Sequence, residues 1–485
     1  MTKQTLLEQV STDFFQRNQI LIFSENPITI GVCPDSNMEA LEDLRLITGR
    51  SFDVISVNKE QMESGLRDLL IEDARSGIGK DGESIEIGED ETLDLTSAGK
   101  DAPIIKLVNT MFIQAIQQRG TDVHIEPYEK EALVRIRTDG ELHESMRLHK
   151  TQYTGVCARI KVMSKLNLAE NRLPQDGRMR VRSGTRIIDV RVSLLPTQFG
   201  ERIVLRILDR SSRLITLEDL GLSKKDHSKI TDLISRPYGS ILVTGPTGSG
   251  KSTTLYAMIE RIKSPSRNII TVEDPVEYQV DGIGQMPVNA KIGLTFASGL
   301  RSILRQDPDV IMVGEIRDPE TAEIMTHASL TGHLVLSTLH TNDAPTAVSR
   351  LADMGVEKYL ISSSLLGVMA QRLVKTLCPK CKKPHVPVTA ELNSVGWDSI
   401  PDGASFRRPE GCKNCLGTGF LGRMAIFELM KIDEELRSEI TRSADSNRIR
   451  AIARRNGMRT LLEDGRDKAA EGLTTLAEIT KSTRT

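Results

Sequence analysis

The chain has 485 residues, more than one hydrophobic core accommodates, so roughly three or four domains are expected. Its 64 basic and 66 acidic side chains nearly balance, and aromatic residues make up 4% with a single tryptophan, Trp397. That composition disfavours a protein whose main task is coating or stacking on nucleic acid. No apolar run approaches the roughly 18–20 residues that cross a bilayer. The opening MTKQTLLEQVSTDFF carries acids in place of a secretory core, so a cytosolic protein is expected.

Residues 1–75 alternate short apolar runs, ILIF at 20–23, ITIGV at 28–32 and FDVISV at 52–57, with the helical stretches MEALEDLRLI and EQMESGLRDLLIEDA. The pattern predicts a small α+β domain, and in the absence of a motif for chemistry its expected use is interaction. Residues 76–101 hold eight acids against two lysines, several glycines and few large apolar residues. This is the composition of a flexible, solvated linker. A second α+β domain is expected over 102–210. It opens on the amphipathic helix APIIKLVNTMFIQAIQQRG and continues in the strands DVHIEP, ALVRIRT, GELHESMRL, RIIDVRVSLLP and ERIVLRILD. The last two alternate arginine with apolar residues, which places the arginines on one face of a sheet and the core on the other.

After a linker at 211–235, residues 236–372 alternate helices with the short apolar strands SILVTG, NIITVED, DVIMVGE and HLVLSTLH. Such alternation predicts a parallel, doubly wound sheet with its ligand at the C-terminal ends of the strands. The first strand runs into Gly245-Pro246-Thr247-Gly248-Ser249-Gly250-Lys251-Ser252-Thr253. This fits G-x-x-x-x-G-K-[ST] between a strand and the helical segment TTLYAMIERI. The glycines let the backbone curl until successive N–H groups face phosphate oxygens at a helix N-terminus. Lys251 is placed to reach the β and γ phosphates, and the Ser252 hydroxyl to bind Mg²⁺, so the motif predicts a site for ATP with Mg²⁺.

The later strands end in polar residues, as such a site requires. Glu273 and Asp274 close one strand, Glu315 the next, and Thr338, His340 and Thr341 the third. Hydrolysis needs Mg²⁺ held near the phosphates and a carboxylate to orient or deprotonate water. Glu273 is read as the base and Glu315 as the group holding the Mg²⁺ water shell, with the reverse division open. Gly314 stands where the commonest arrangement has aspartate. His340 follows its strand and suits a γ-phosphate sensor; His333 opens the strand and suits a structural role equally well.

Four of the six cysteines form two C-x-x-C pairs, Cys378 with Cys381 and Cys412 with Cys415, separated by 30 residues. In a reducing compartment they predict one tetrahedral Zn²⁺ site, because two intervening residues let both thiolates of a knuckle face one ion. A redox reading needs a C-x-x-C that opens a helix after a strand, and neither pair has that setting. The pairs bracket a loop-rich zinc lobe at 373–422, and a helical C-terminal domain is expected over 423–485. Cys33 and Cys157 lie alone in mixed apolar surroundings and are expected to be buried thiols.

The succession GPTGSGKST, TVEDPVEY, RQDPDVIMVGEIRD and LTGHLVLSTLHTND resembles the Walker A, Asp, Walker B and His boxes of the secretion ATPase superfamily. Further matches are LPQDGRMRVRSGTRIIDVRVS at 173–193, GERIVLRIL at 200–208, SSSLLGVMAQRLVKTLCPKC at 362–381 and GCKNCLGTGFLGRMAIFELM at 411–430. The resemblance is strong from about residue 100 to 485 and weak over 1–75. It implies an α/β fold in which a RecA-like P-loop domain with a parallel sheet follows a PAS-like domain at 102–210 and the small N-terminal domain. In that superfamily the PAS-like domain contributes arginines that close over the nucleotide; Arg191 in DVRVS and Arg206 in VLRIL match best, and Arg178 in QDGR less well.

The tetracysteine insert separates the chain from the pilus-retraction branch, and it looks closest to the type II secretion branch. This implies an ATP-hydrolysing homohexamer, peripheral on the cytoplasmic side of the inner membrane, that powers pseudopilus assembly. Implied partners are the cytoplasmic domain of an inner-membrane anchor protein, docked by residues 1–75, and a polytopic inner-membrane platform protein, with no nucleic acid. A type IV pilus extension motor is the alternative within the class, and an ATP-driven nucleic-acid translocase the alternative outside it. A scaffold that binds ATP without turnover fits poorly with the intact Lys251, Glu273 and Glu315 set.

Overall fold

The computed structural model describes residues 103–183, 186–209 and 215–484 without a break. Before them it describes Val10, 14–15, 18–25, 28–48, 51–59, 61–62, 65–66 and 92–94. The chain divides into two compact units, Met1–Ser212 and Arg213–Thr485.

In the first unit, β1 (Ile20–Glu25) pairs antiparallel with β2 (Ile28–Val32), and β2 pairs parallel with β3 (Asp53–Ser56) after the crossover helix Glu39–Thr48. All three apolar runs of the N-terminal part are therefore strands, and Ile20, Ile30 and Leu44 form their buried centre. The second expected helix, EQMESGLRDLLIEDA, lies mostly outside the described residues, as does most of 76–101. β4 (Thr92–Asp94), β5 (Asp122–Pro127), β6 (Glu131–Thr138), β7 (Glu141–His149), β8 (Gln175–Ser183), β9 (Arg186–Thr197) and β10 (Gly200–Asp209) form one sheet, in the order β4-β8-β9-β10-β5-β6-β7. Three residues of the stretch read as linker thus belong to it.

Helices Pro103–Gln117 and Lys150–Met163 share a core with one face of this sheet, where Phe112 and Ile160 join Ile125, Val190 and Leu205. Within that core Lys161 Nζ lies 2.7 Å from Glu201 Oε2, and the Cys157 thiol donates to the same oxygen at 3.3 Å. Cys157 and Cys33 are both buried free thiols, as expected.

In the second unit, the stretch 211–235 is not a bare linker. It carries the helix Lys224–Ile234, capped by Ser223 Oγ on Asp226 N, and buries Ile230, Leu233 and Ile234. The sheet contains β11 (Gly239–Thr244), β12 (Ile269–Glu273), β13 (Gly284–Pro287), β14 (Val310–Val313), β15 (Leu334–Leu339) and β16 (Leu365–Leu377). Beyond the short pair β17 (Lys383–Pro384) and β18 (Arg407–Arg408) comes β19 (Phe420–Lys431), and the sheet order is β13-β12-β14-β15-β11-β16-β19. Neighbours are parallel from β13 to β16; β19 alone is antiparallel. Both faces are buried: β11 sends Ile241 and Val243 into one core and Leu242 into the other, which is why its sequence reads as a continuous apolar run.

The boundary expected at 372/373 falls inside β16, and residues 420–431, divided between the lobe and the helical C-terminal part, are strand. The zinc lobe is an excursion between two paired strands. The C-terminal region beyond β19 is helical, and its Leu436, Ile440, Ile449 and Ile479 belong to the same core as β14 and β15. At the sheet's edge, Asp464 Oδ2 accepts from Phe427 N at 2.9 Å and Lys468 Nζ donates to the Ala425 carbonyl at 2.7 Å. The two side chains also pair with each other at 2.6 Å. A helix thereby satisfies backbone groups of an edge strand that another chain could otherwise pair with.

Candidate functional site at the P-loop

β11 delivers the chain to the glycine-rich turn, and Gly250 caps the helix Lys251–Ile262 at φ 86°. A Cβ on Gly245, at φ +151°, would sit 2.4 Å from the Gln371 carbonyl oxygen and 2.7 Å from Ser249 Oγ, so only glycine fits. Lys251 is 9% exposed, and its Nζ donates to the carbonyls of Gly245 and Pro246 at 2.8 and 3.1 Å. Burial lowers the ammonium's pKa, and the negative charge of Glu315 partly opposes that. The buried Ser249 hydroxyl has no hydrogen-bond partner. A curled loop with an orphan hydroxyl, a buried cation and a helix N-terminus fits a phosphate chain.

The strand ends bring three expected residues together. Thr341 N donates to Thr244 Oγ1 at 2.9 Å, fixing the end of β15 against the end of β11. Glu315, just beyond β14, accepts from Arg317 on one oxygen, while His340 Nε2 lies 3.3 Å from the other. Burial pushes this carboxyl up, but Arg317 and His340 outweigh it and hold it below the usual range, ionised. Gly314 is closely approached: a Cβ there would lie 3.3 Å from the Val272 carbonyl oxygen and 3.4 Å from Glu273 Cα, so a side chain at this position would need the backbone to give by a few tenths of an ångström.

Glu273 is placed differently. It is 3% exposed, with Thr271 Oγ1 donating at 2.6 Å, Gln285 Nε2 at 3.3 Å, and the Tyr256 hydroxyl donating to its other oxygen. His333 lies at the start of β15, the end remote from the P-loop, and its Nδ1 stands 2.9 Å from the Ala328 carbonyl oxygen.

In the first unit Arg191 of β9 and Arg202 and Arg206 of β10 share a face, whereas Arg186 at the start of β9 alternates to the other. Arg191 is opposite Arg206, and Arg178 of β8 is opposite Arg191. Arg206 Nε donates to Asp122 Oδ1 at 3.0 Å.

The four knuckle sulfurs lie within 4.8 Å of one another, with edges of 4.0, 3.8 and 3.7 Å for Cys378–Cys412, Cys381–Cys415 and Cys412–Cys415. A tetrahedron of thiolates around Zn²⁺ at about 2.3 Å has edges of about 3.8 Å, so the cage fits the ion. Backbone N–H groups of Cys412 and Gly419 both donate to Cys415 Sγ at 3.2 Å, as a thiolate favours.

Residues 97–481 match the family described as Type II/IV secretion system protein. The chain is 47% identical to the type II secretion system protein E of Dickeya dadantii (strain 3937), an alignment covering 97% of this chain and 96% of that one. The chain belongs to the type II secretion system protein E family. The type II secretion system ATPase E of Vibrio cholerae serotype O1 (strain ATCC 39315 / El Tor Inaba N16961) is 45% identical, over 92% of this chain and 90% of its own. Among solved structures, the pilus retraction motor PilT with bound ADP aligns with a TM-score of 0.54 at 27% identity, covering 76% of this chain and 95% of that one. The Legionella pneumophila ATPase DotB gives 0.59 at 22% identity, covering 81% and 99%, a likeness of fold.

Several residues of this family member's site escaped the sequence reading. Arg317, which bridges Glu315 and Asp274, stands two positions after Glu315 and was legible as a nearby charge. Gln371 was not: it accepts from Thr254 Oγ1 at 2.7 Å across 117 positions, and nothing local marks it. Among the described residues no helix is long and apolar enough to cross a membrane.

Proposed function

We propose that this chain hydrolyses ATP and, as a homohexamer on the cytoplasmic face of the inner membrane, drives pseudopilus assembly in type II protein secretion. The observation that carries the reading is the meeting of Glu315 and His340 at the ends of neighbouring parallel strands, beside a P-loop with the buried Lys251 and an orphan hydroxyl. The names and identities of the relatives support the secretion setting.

Lys251 would leave its loop carbonyls for the β and γ phosphates. Ser252 and, through water, Glu315 would hold Mg²⁺, which when bound neutralises phosphate charge. The committed hydrogen bonds around Glu273 suit it to holding the strand end; Glu315, ionised and paired with His340, takes the water-side role. Arg191 and Arg206 would supply cationic cover for the γ phosphate, as the family resemblance implies. Zinc held by Cys378, Cys381, Cys412 and Cys415 would be structural. Residues 1–75 would dock the cytoplasmic domain of a membrane anchor protein, and a polytopic platform protein would be the second partner.

Steady-state ATPase assays on wild type and Glu315→Gln, beside native mass spectrometry, test this. Glu315→Gln should bind nucleotide as wild type does while turnover falls by roughly a hundredfold or more. Wild-type turnover in that variant, or stimulation of the ATPase by DNA in preference to the anchor's cytoplasmic domain, would overturn the reading.

A further inference from the structure

β16 does not stop where its neighbour β11 does. Thr244, the last residue of β11, is opposite Ala370, so Gln371, Arg372 and Leu373 continue past it along the phosphate-binding turn. The approach is close. A Cβ on Gly250 would stand 2.8 Å from Gln371 Nε2 and 3.6 Å from Leu373 Cδ2, and the Gln371 carbonyl already abuts Gly245. Alternate residues of a strand face opposite sides, so Arg372 turns away from these two. It turns toward the loop after β15, where its Nη2 donates to Asn342 Oδ1 at 2.8 Å, two residues beyond His340.

Arg372 is a half-buried guanidinium with no acid of its own. Its Nε is buried and has no hydrogen-bond partner. Burial works against its charge, and the acid that favours the charge, Asp343, is bonded to Arg450 Nη2 at 2.8 Å. Among the described residues no carboxylate pairs with Arg372 itself. Lys251 lies near enough to feel it. Burial works most strongly against the Lys251 ammonium; Glu315 opposes that, and the positive charge of Arg372 adds to it. Glu315 in turn accepts from Arg317. Two cations are therefore held beside one turn, short of negative charge, and burying them together is unfavourable until an anion joins them.

We propose that Arg372 is a second cation of the nucleotide site, binding the phosphate chain from the end of β16 while Lys251 binds it from the P-loop. The proposal rests on the reading of the P-loop as that site, and Lys251, Arg372 and Asn342 all belong to the second unit. The competing account makes Arg372 a pin for the loop after β15, acting through Asn342. A pin to a neutral amide needs no charge: a neutral donor makes the same bond without the cost of desolvating a guanidinium. Nor does a pin account for the buried Nε, since an unsatisfied buried donor is costly. A phosphate oxygen answers both points, because it offers an acceptor that matches arginine's planar donors and a charge that offsets the burial.

The test titrates the full chain with a fluorescent ATP analogue and, separately, with inorganic pyrophosphate. It compares wild type with Arg372→Gln, Arg372→Met, Asn342→Ala and Lys251→Ala. Arg372→Gln keeps a donor for Asn342 but removes the charge. It should weaken both ligands by roughly tenfold to a hundredfold, the size of one charge-assisted hydrogen bond. Arg372→Met keeps the apolar stem and should lose at least as much; it serves if Arg372→Gln does not fold. Asn342→Ala removes the pinned partner and leaves the cation, so it should bind both ligands as wild type does. Three results would overturn the proposal while Lys251→Ala still fails to bind: wild-type affinity in either Arg372 variant, a loss in Asn342→Ala as large as theirs, or a loss confined to the ATP analogue. The last would place Arg372 against the base or ribose. Retained binding in Lys251→Ala would instead remove the reading of the P-loop beneath it.

Discussion

Tyr256 donates its phenolic hydrogen to Glu273, tying the second turn of the helix after the P-loop to the end of β12, three strands across the sheet. Gln285 closes the group, donating to the Tyr256 oxygen at 3.1 Å and to the Tyr278 carbonyl at 2.9 Å. Burial raises the Tyr256 hydroxyl above its ordinary value, so it remains a donor. The strand end, the segment after it and the phosphate-binding helix therefore move as one body. Tyr256→Phe leaves the Glu273 carboxylate one charge-assisted bond short, at a cost of about 1.5–3 kcal/mol. A urea midpoint lowered by that free energy divided by the denaturant slope, with the slope unchanged, is the expected outcome, and an unshifted midpoint would refute the coupling.

Lys251 is the buried cation of the P-loop, and its Nζ donates to the Gly245 carbonyl at 2.8 Å. Lys251→Ala should abolish measurable binding of an ATP analogue in a fluorescence titration while the chain keeps its thermal midpoint. Retained triphosphate affinity would move the nucleotide site elsewhere.

Glu428 of β19 is buried beside the segment that carries His340. One of its oxygens accepts from Ala344 N at 2.8 Å, at the start of the helix Ala344–Asp353. Burial pushes this carboxyl from an ordinary 4.5 up to about 7. A carboxyl raised in the fold binds its proton more tightly folded than unfolded, so stability falls as pH rises through the window from about 4.5 to 7. The shift corresponds to roughly 3 kcal/mol, lost fully by about pH 8. Glu428→Gln keeps an acceptor for Ala344 N without the proton. It should unfold at higher urea than wild type at pH 8 and at about the same urea at pH 5. Equal midpoints at both values would contradict this account.

Zinc should copurify at one ion per chain and depend on all four cysteines of the lobe. Zinc sites of this kind contribute about 10–16 kcal/mol of apparent binding free energy in zinc-finger peptides, so Cys412→Ser should open the lobe. The main sheet and its C-terminal helices share a core that takes in Leu392, Val395 and Phe406 of the lobe but none of its four cysteines, and they should keep most of their circular dichroism. Metal analysis of the fresh protein decides the first point and limited proteolysis the second; a zinc-free protein with an intact lobe would end the assignment.

Much of the site was legible in short stretches of sequence. β11, β12, β14 and β15 announce themselves because a strand buried on both faces is a continuous apolar run closed by a turn residue. The helix Lys150–Met163 was missed, and there the apolar pattern is broken by Arg159 and Lys161, charged residues that the fold nevertheless buries. β16 and β19 were missed for the same reason, since each buries a polar side chain, Gln371 and Glu428, whose partners come from distant segments.

By itself the sequence determined what depends on neighbours within a few positions: the curl of Gly245–Gly250, the reach of Lys251, and the facing thiolates of each C-x-x-C. Covalent geometry sets those distances whatever the rest of the chain does. Only the tertiary structure decided that Glu273 is sequestered while Glu315 meets His340, and that the zinc lobe interrupts a pair of neighbouring strands. It likewise decided that Arg206 is gripped by Asp122, 84 positions away. Such pairings follow from strand register and from the cost of burying a charge without a partner, and both are settled only when distant segments are packed together.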